Sequence, residues 1–233
     1  MFLIIGHRGA SGYEPENTLS AFKKAIDLKA DMIEMDIYKC KTGELVLIHD
    51  NNVNRTTNGK GYVQDFSLKE LKSLETGKGD KIPLLEEVLD LADRKIKINL
   101  ELKGVDTAEP SIKIIEKYVN DKGWRYEDFY ISSFNHYLLN EVNSLCPVNS
   151  GIKICPLIYG LPVGLAKFAV RLNAYSINIS SDFVNKELLK DAHKRGMKIF
   201  VYVVNDAAEA LKLKSLGVDG IFTDYPDLLI KQP

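Results

Sequence analysis

The sequence predicts an α/β protein of the TIM (β/α)8 barrel class, on three observations. Short apolar runs alternate with amphipathic stretches along the chain, the pattern of repeated βα units rather than of a sandwich or a helical bundle. About eight such pairs occur in 233 residues, close to the ~250 residues usual for this barrel. The first apolar run delivers an imidazole and a guanidinium to its carboxyl end, where α/β folds keep their chemistry. A doubly wound sheet is the competing arrangement.

The elements follow in order. Residues 2–6 read as a buried strand that stops at Gly6-His7-Arg8-Gly9-Ala10-Ser11-Gly12. Glycines there let backbone approach a ligand closely, while Pro15 and Asn17 mark the turn into a helix at 18–29, with Asn17 as its N-cap. Further strands are expected at 32–38, 97–103, 129–132, 152–155, 176–179, 198–203 and 220–223. Helices are expected at 84–94, 108–121, 137–145, 162–171, 185–194, 207–215 and 226–230. Between Asp50 and Ile82 the chain is polar and turn-rich, with one amphipathic piece at 67–74. A structureless loop of that length is unusual in a compact domain. The chain therefore reads as one barrel domain, 1–233, with an insertion at about 51–81 that carries a small helix and a hairpin and overhangs the catalytic end.

Composition narrows the function. Hydrophobic residues make up 45%, enough for a sizeable core, and 31 basic against 32 acidic residues leave a net charge of -1. No global field exists to hold nucleic acid or an anionic membrane. Residues 1–5 are too short for a secretory signal, and no apolar run approaches the ~20 residues of a membrane span. Cys40, Cys146 and Cys155 are odd in number and lack C-x-x-C spacing, so they read as structural thiols in a reducing compartment. A soluble, cytoplasmic protein is expected. No heptad or apolar stripe points to an oligomer.

The second strand, Asp31-Met32-Ile33-Glu34-Met35-Asp36-Ile37-Tyr38, puts Glu34 and Asp36 on one face and Ile33, Met35 and Ile37 on the other. The third likewise sets Asn99, Glu101 and Lys103 opposite Ile98, Leu100 and Leu102. In a barrel the apolar sets pack on the helices and three carboxylates point inward. Anions converging in a low-dielectric interior must be protonated, paired or bound to a cation. An all-oxygen set favours Mg2+ or Ca2+ over zinc. The structural alternative is an internal salt bridge from Glu34 or Asp36 to Arg8 or Lys103. A further apolar run, Glu44-Leu45-Val46-Leu47-Ile48, ends at His49-Asp50. Imidazoles exchange protons most readily near neutrality, so His7 and His49 are the candidate acid and base. His136 and His193 sit in polar, helical contexts and read as structural.

Taken together, these residues resemble the glycerophosphodiester phosphodiesterase family. The resemblance rests on G-H-R-G at Gly6 to Gly9, P-E-N-T at Pro15 to Thr18, E-M-D at Glu34 to Asp36, His49-Asp50, R-T-T-N-G at Arg55 to Gly59, I-P-L-L-E-E at Ile82 to Glu87 and E-L-K at Glu101 to Lys103. It continues through S-S-F-N at Ser132 to Asn135, Val204-Asn205 and G-V-D-G-I-F-T-D-Y-P at Gly217 to Pro226. The motifs span essentially the whole chain in one order.

The resemblance implies that His7 and His49 are the acid–base pair, that Glu34, Asp36 and Glu101 hold the divalent cation, and that Arg8 and Lys103 contact the phosphate. It also implies a small-molecule phosphodiester substrate, such as glycerophosphocholine or glycerophosphoethanolamine, cleaved to glycerol 3-phosphate and an alcohol. The nucleophile is either the neighbouring glycerol hydroxyl, through a cyclic phosphate, or water. Tyr202 stands where many members carry Trp and would form an aromatic wall of a more polar pocket, while Trp124 reads as surface packing in a loop. Lysophospholipase D activity, which needs an apolar channel, and a non-catalytic barrel that binds glycerol phosphates are the alternatives.

Overall fold

The computed structural model describes residues 2–147 and 149–229. In chain order β1 (Leu3–Gly6), α1 (Leu19–Asp27), β2 (Met32–Lys39), β3 (Leu45–Leu47), α2 (Leu68–Ser73), α3 (Leu85–Ala92), β4 (Lys97–Leu102) and α4 (Ala108–Lys122) form the first half. The second half runs β5 (Phe129–Ser133), α5 (His136–Leu145), β6 (Lys153–Ile158), α6 (Lys167–Val170), β7 (Ser176–Ser180), α7 (Lys186–Lys194), β8 (Lys198–Tyr202), α8 (Ala207–Leu216) and β9 (Gly220–Thr223). Among the described residues, eight parallel strands close on themselves, because β1 pairs with β2 and β9 at once. Ile5 lies opposite both Met32 and Phe222. The barrel expected from the alternation is the barrel found.

β3 stands outside the ring, antiparallel to the end of β2 with Ile37 opposite Leu47. The hairpin is thus β2–β3, ahead of the segment read as an insertion, which shows isolated bridges such as Asn52 to Tyr62, the capped helix α2 and two short 3-10 turns, Val63–Asp65 and Gly77–Gly79. Around the ring, the outward faces of the strands pack on helices. Ile33, Met35 and Ile37 share one buried cluster with Phe22 and Ala25 of α1 and Val88 and Leu89 of α3. Fully burying a side chain of this size contributes about 1.5–3 kcal/mol. Inside the ring, Ile5, Met32, Tyr130, Cys155, Phe200 and Phe222 form an apolar layer. Glu34 and Asp36, on the same face of β2 as Met32, stand above it towards the carboxyl end.

Four expectations need correction. The N-cap of α1 is Thr18, whose hydroxyl accepts from the Ala21 amide at 3.2 Å; Asn17 is instead turned inward. The helix foreseen at 162–171 shrinks to α6, because Gly164 and Leu165 adopt positive φ inside the run. Trp124 is buried against Phe129 at 5.1 Å between ring centres rather than lying on the surface. Residues 226–229 are turn rather than helix, and Ile230 falls outside the described residues.

Candidate active site

The glycines of the first loop approach protein rather than leaving room for a ligand. A Cβ at Gly9, whose φ is +84°, would meet Ala21 backbone at 2.6 Å, and one at Gly12 would enter the Tyr225 ring at 2.3 Å. That tight packing presses the loop onto α1 and brings His7, Arg8 and Asn17 over the barrel mouth. Arg8 and Asn17 both take left-handed backbone, φ 54° and 56°, a strain of order 1–3 kcal/mol for a non-glycine residue such as Arg8. Hydrogen bonds hold them there: the Arg8 amide donates to Glu34 Oε2 at 2.8 Å, and the Asn17 amide donates to the Arg8 carbonyl at 3.1 Å.

Glu34, Asp36 and Glu101 are buried, and one oxygen of each lies within 4.8 Å of the others. Register explains this: Asp36 lies opposite Glu101 across β2 and β4, and Glu34 lies opposite Asn99. The salt bridges weighed as the structural alternative are also present. Arg8 Nε is 3.3 Å from Asp36 Oδ2, and Lys103 Nζ is 3.0 Å from Glu101 Oε1 and 3.6 Å from Asp36 Oδ1. Asn17 fastens Asp36 from the other side, its amide group donating to Oδ2 at 2.8 Å. Two cations against three carboxylates leave the cluster one positive charge short. Glu34 Oε1 has no hydrogen-bond partner among the described residues although it is buried. An orphaned acceptor aimed into an all-oxygen cluster fits a hard cation as its missing partner.

The crowding appears in the protonation equilibria. Burial, then Asp36 and Glu101, push the Glu34 carboxyl well above its ordinary range despite Arg8. Burial and then Asp36 push Glu101 up to about 7. Burial alone would lower Lys103, but Glu101 and Asp36 outweigh it, so the side chain remains an ammonium.

Each imidazole has its own carboxylate. His7 Nδ1 is 2.7 Å from Asp224 Oδ1, and His49 Nδ1 is 2.7 Å from Asp50 Oδ1. Asp224 is held in turn by Ser11 and Asn205, at 2.7 and 2.6 Å. Burial would raise its carboxyl, but the hydrogen bonds from His7, Ser11 and Asn205 bring it down to about 2. Asp50 falls to about 2 as well, through the hydrogen bond from Arg55 and then that from His49. Arg55 also forks onto Glu16 at 2.7 and 2.8 Å, and Glu16 accepts from Arg8 at 3.0 Å. Burial lowers the His49 imidazole, Asp36 and Asp50 offset part of that, and Lys103 Nζ lies 3.2 Å from its Nε2. A neutral His49 with its proton on Nδ1 satisfies both contacts.

Tyr202 lines the same cavity of about 200 Å3 as His7, Arg8, Glu34, His49, Glu101 and Lys103. Its hydroxyl donates to the Ile158 carbonyl at 2.7 Å, so the polarity expected of it is directed into the barrel wall. Phe134, Leu157 and Phe222 complete an apolar side. His136 and His193 lie apart from this cavity: His136 bonds the Leu157 carbonyl and stacks on Phe168, and His193 pairs with Asp219. Asp224, Arg55, Glu16, Ser11 and Asn17 are members of the constellation to which the sequence assigned no such role. The signal was present for Asp224, the first residue after β9, since closure of the barrel makes that strand end a neighbour of His7.

Fold and site define a class: barrel enzymes that work at the carboxyl ends of the strands on a small anionic ester. The comparisons narrow it. Residues 7–228 match the model of the glycerophosphoryl diester phosphodiesterase family. A glycerophosphodiester phosphodiesterase of Caldanaerobacter subterraneus is 40% identical over 241 residues, 98% of this chain and 96% of the relative. One from Bacillus altitudinis is 37% identical over 245 residues, 99% and 98% of the two chains. The solved structure of an Oleispira antarctica phosphodiesterase in complex with the product sn-glycerol-3-phosphate superposes with a TM-score of 0.86 at 29% identity, covering 96% of this chain and 93% of that one. The chain belongs to the glycerophosphoryl diester phosphodiesterase family and is a phosphoric diester hydrolase.

Proposed function

We propose that the protein hydrolyses glycerophosphodiesters, small molecules rather than nucleic acids, to glycerol 3-phosphate and an alcohol, with a divalent cation held by Glu34, Asp36 and Glu101. The observation that carries this reading is the buried trio of carboxylates, one of them with an orphaned oxygen, two of which line one cavity with two imidazoles that are each paired with a carboxylate. Mg2+ or Ca2+ suits the oxygen-only donor set, and when bound it neutralises charge on the phosphoryl oxygens.

The chain's own residues do the rest. Arg8 presents a fork of donors and Lys103 a point charge to the phosphate, stabilising charge that builds in the transition state. His49, neutral and with Nε2 able to accept, removes the proton of the nucleophile, which is either water or the neighbouring glycerol hydroxyl, whose cyclic phosphate water then opens to glycerol 3-phosphate. His7, whose Nδ1 is fixed by Asp224, gives a proton from Nε2 to the leaving alkoxide as the phosphorus–oxygen bond breaks. Tyr202, with Phe134, walls the glycerol side and excludes water. Residues 1–233 act as one barrel domain, with 51–81 as an insertion over its mouth. A cytoplasmic setting agrees with three free thiols, Cys40, Cys146 and Cys155. No helix among the described residues is long and apolar enough to cross a membrane.

The test is phosphodiesterase activity on glycerophosphocholine and glycerophosphoethanolamine, as purified, after chelation, and after Mg2+ or Ca2+ is added back, with His7→Ala and Glu34→Ala alongside. Loss on chelation, restoration by one ion and abolition by both substitutions are expected. Full activity after verified stripping of metal would remove the cation from the reaction.

A further inference from the structure

The catalytic end of the barrel carries a second cavity, larger than the one that holds the imidazoles. It measures about 560 Å3 and is open to solvent between the β2–β3 hairpin, the segment after β4 and the insertion, with Tyr38, Lys39, Lys41, Tyr62, Gln64 and Lys103 in its lining. Lys103 lines both cavities. A phosphodiester has two arms, and a phosphate placed at Lys103 would have one cavity for each. The 200 Å3 cavity, with its apolar side of Phe134, Leu157 and Phe222, offers the space of several waters at ~30 Å3 each, enough for a three-carbon polyol. The larger one remains for the other arm.

The larger cavity is a built feature. The Gly104 amide donates to the Ile37 carbonyl at 3.3 Å, and a Cβ at Gly104 would stand 2.9 Å from the Tyr38 ring, so only glycine lets that ring lie against the chain. On the opposite side the hairpin turn is tied to the insertion: the Lys41 amide donates to the Phe66 carbonyl at 2.9 Å, and the Leu68 amide donates to Thr42 Oγ1 at 3.0 Å. Of the three cations in the lining, Lys39 pairs with Asp106 at 3.6 Å and Lys103 with Glu101 and Asp36 at 3.0 and 3.6 Å, while Lys41 is in no salt bridge among the described residues. Asn51, Gln64 and the two tyrosines add neutral hydrogen-bonding groups.

We propose that this cavity is the subsite for the leaving alcohol, and that it selects hydroxyl-rich, uncharged or anionic head groups over quaternary ammonium ones. Two aromatic rings would suit a choline, but a cation entering here meets the Lys41 ammonium, and the acid of the lining, Asp106, is already paired with Lys39. A polyol finds donors and acceptors along both walls. The inference rests on the phosphodiesterase reading and names the substrate class within it.

The experiment compares kcat/KM for glycerophosphoinositol and glycerophosphocholine in the full-length wild type, in Lys41→Glu and in the Lys39→Glu/Lys41→Glu double variant. The wild type is expected to favour the inositol diester. In the double variant that preference falls about tenfold, the effect of ~1.4 kcal/mol. An equal loss on both substrates would mean that the lysines only attract the shared phosphodiester anion and would overturn the subsite, as would an unchanged ratio. Absence of turnover on every diester by the wild type removes the hydrolase reading and the subsite with it, so the two failures are told apart.

Discussion

His7 Nδ1 lies 2.7 Å from Asp224 Oδ1, across 217 positions of sequence. The contact exists because β1 and β9 are neighbours where the barrel closes, and it leaves Nε2 as the ring nitrogen for the proton transfer proposed above. Asp224→Asn keeps the shape and one acceptor oxygen but loses the charge that helps to orient the ring. We expect kcat to fall about 10²-fold with KM little changed, the size of a typical acid–base contribution. Steady-state kinetics across pH checks this; a KM effect alone would mark Asp224 as a binding residue.

Stability without metal should decline with rising pH. Glu101 titrates at about 7, pushed up by burial and then by Asp36, and Glu34 is shifted in the same direction. A carboxyl whose folded pKa is raised binds more protons in the native state. Its contribution is full below its ordinary value near 4.5 and is lost as pH rises through about 7. Thermal melts of the chelated protein should show Tm dropping between about pH 5 and 8. A divalent cation should restore it most at the alkaline end.

Glu34→Gln should leave the fold intact, because the amide oxygen can still accept from the Arg8 backbone. It removes one of the three proposed cation ligands. The cation-induced rise in stability, ~2.7 kcal/mol at a hundredfold excess over Kd for the wild type, should largely vanish. Calorimetric titration with Mg2+ and with Ca2+ gives the same answer independently of turnover.

Arg55 joins the insertion to both halves of the site, holding Asp50 behind His49 and Glu16 behind Arg8. Arg55→Lys keeps the charge and loses the fork, so it cannot hold two carboxylates in fixed geometry. A decrease of roughly tenfold in kcat/KM is expected, with Arg55→Ala lower still. Retention of full activity in Arg55→Lys would show that charge alone suffices.

Trp124, 4% exposed and packed on Phe129, belongs to the same core cluster as α4 and β5. Trp124→Phe should cost little, whereas Trp124→Ala should destabilise by about 3–5 kcal/mol through the cavity left behind. Denaturant unfolding followed by circular dichroism measures both.

Alternation alone placed Glu34 and Asp36 on one face of β2 and Glu101 on the matching face of β4, because a strand has period two whatever it pairs with. The eight strands and most helices were legible for the same reason: apolar periodicity is local. Helix α6 was not, since left-handed backbone at Gly164 and Leu165 cuts the run short and a leucine carries no local signal for it. Trp124 was misread because a loop position says nothing of what packs over it.

The sequence by itself determined the barrel, the residue types that can hold a cation and move a proton, and the family, all through short-range pattern and ordered motifs. Tertiary structure decided the partners. That Asp224 backs His7, that Arg55 clamps Asp50 and Glu16, that Asn17 turns inward to Asp36, and that two cavities meet at Lys103 are consequences of ring closure and of how the segment after β3 folds. These contacts join residues far apart in the chain, and no local preference encodes them.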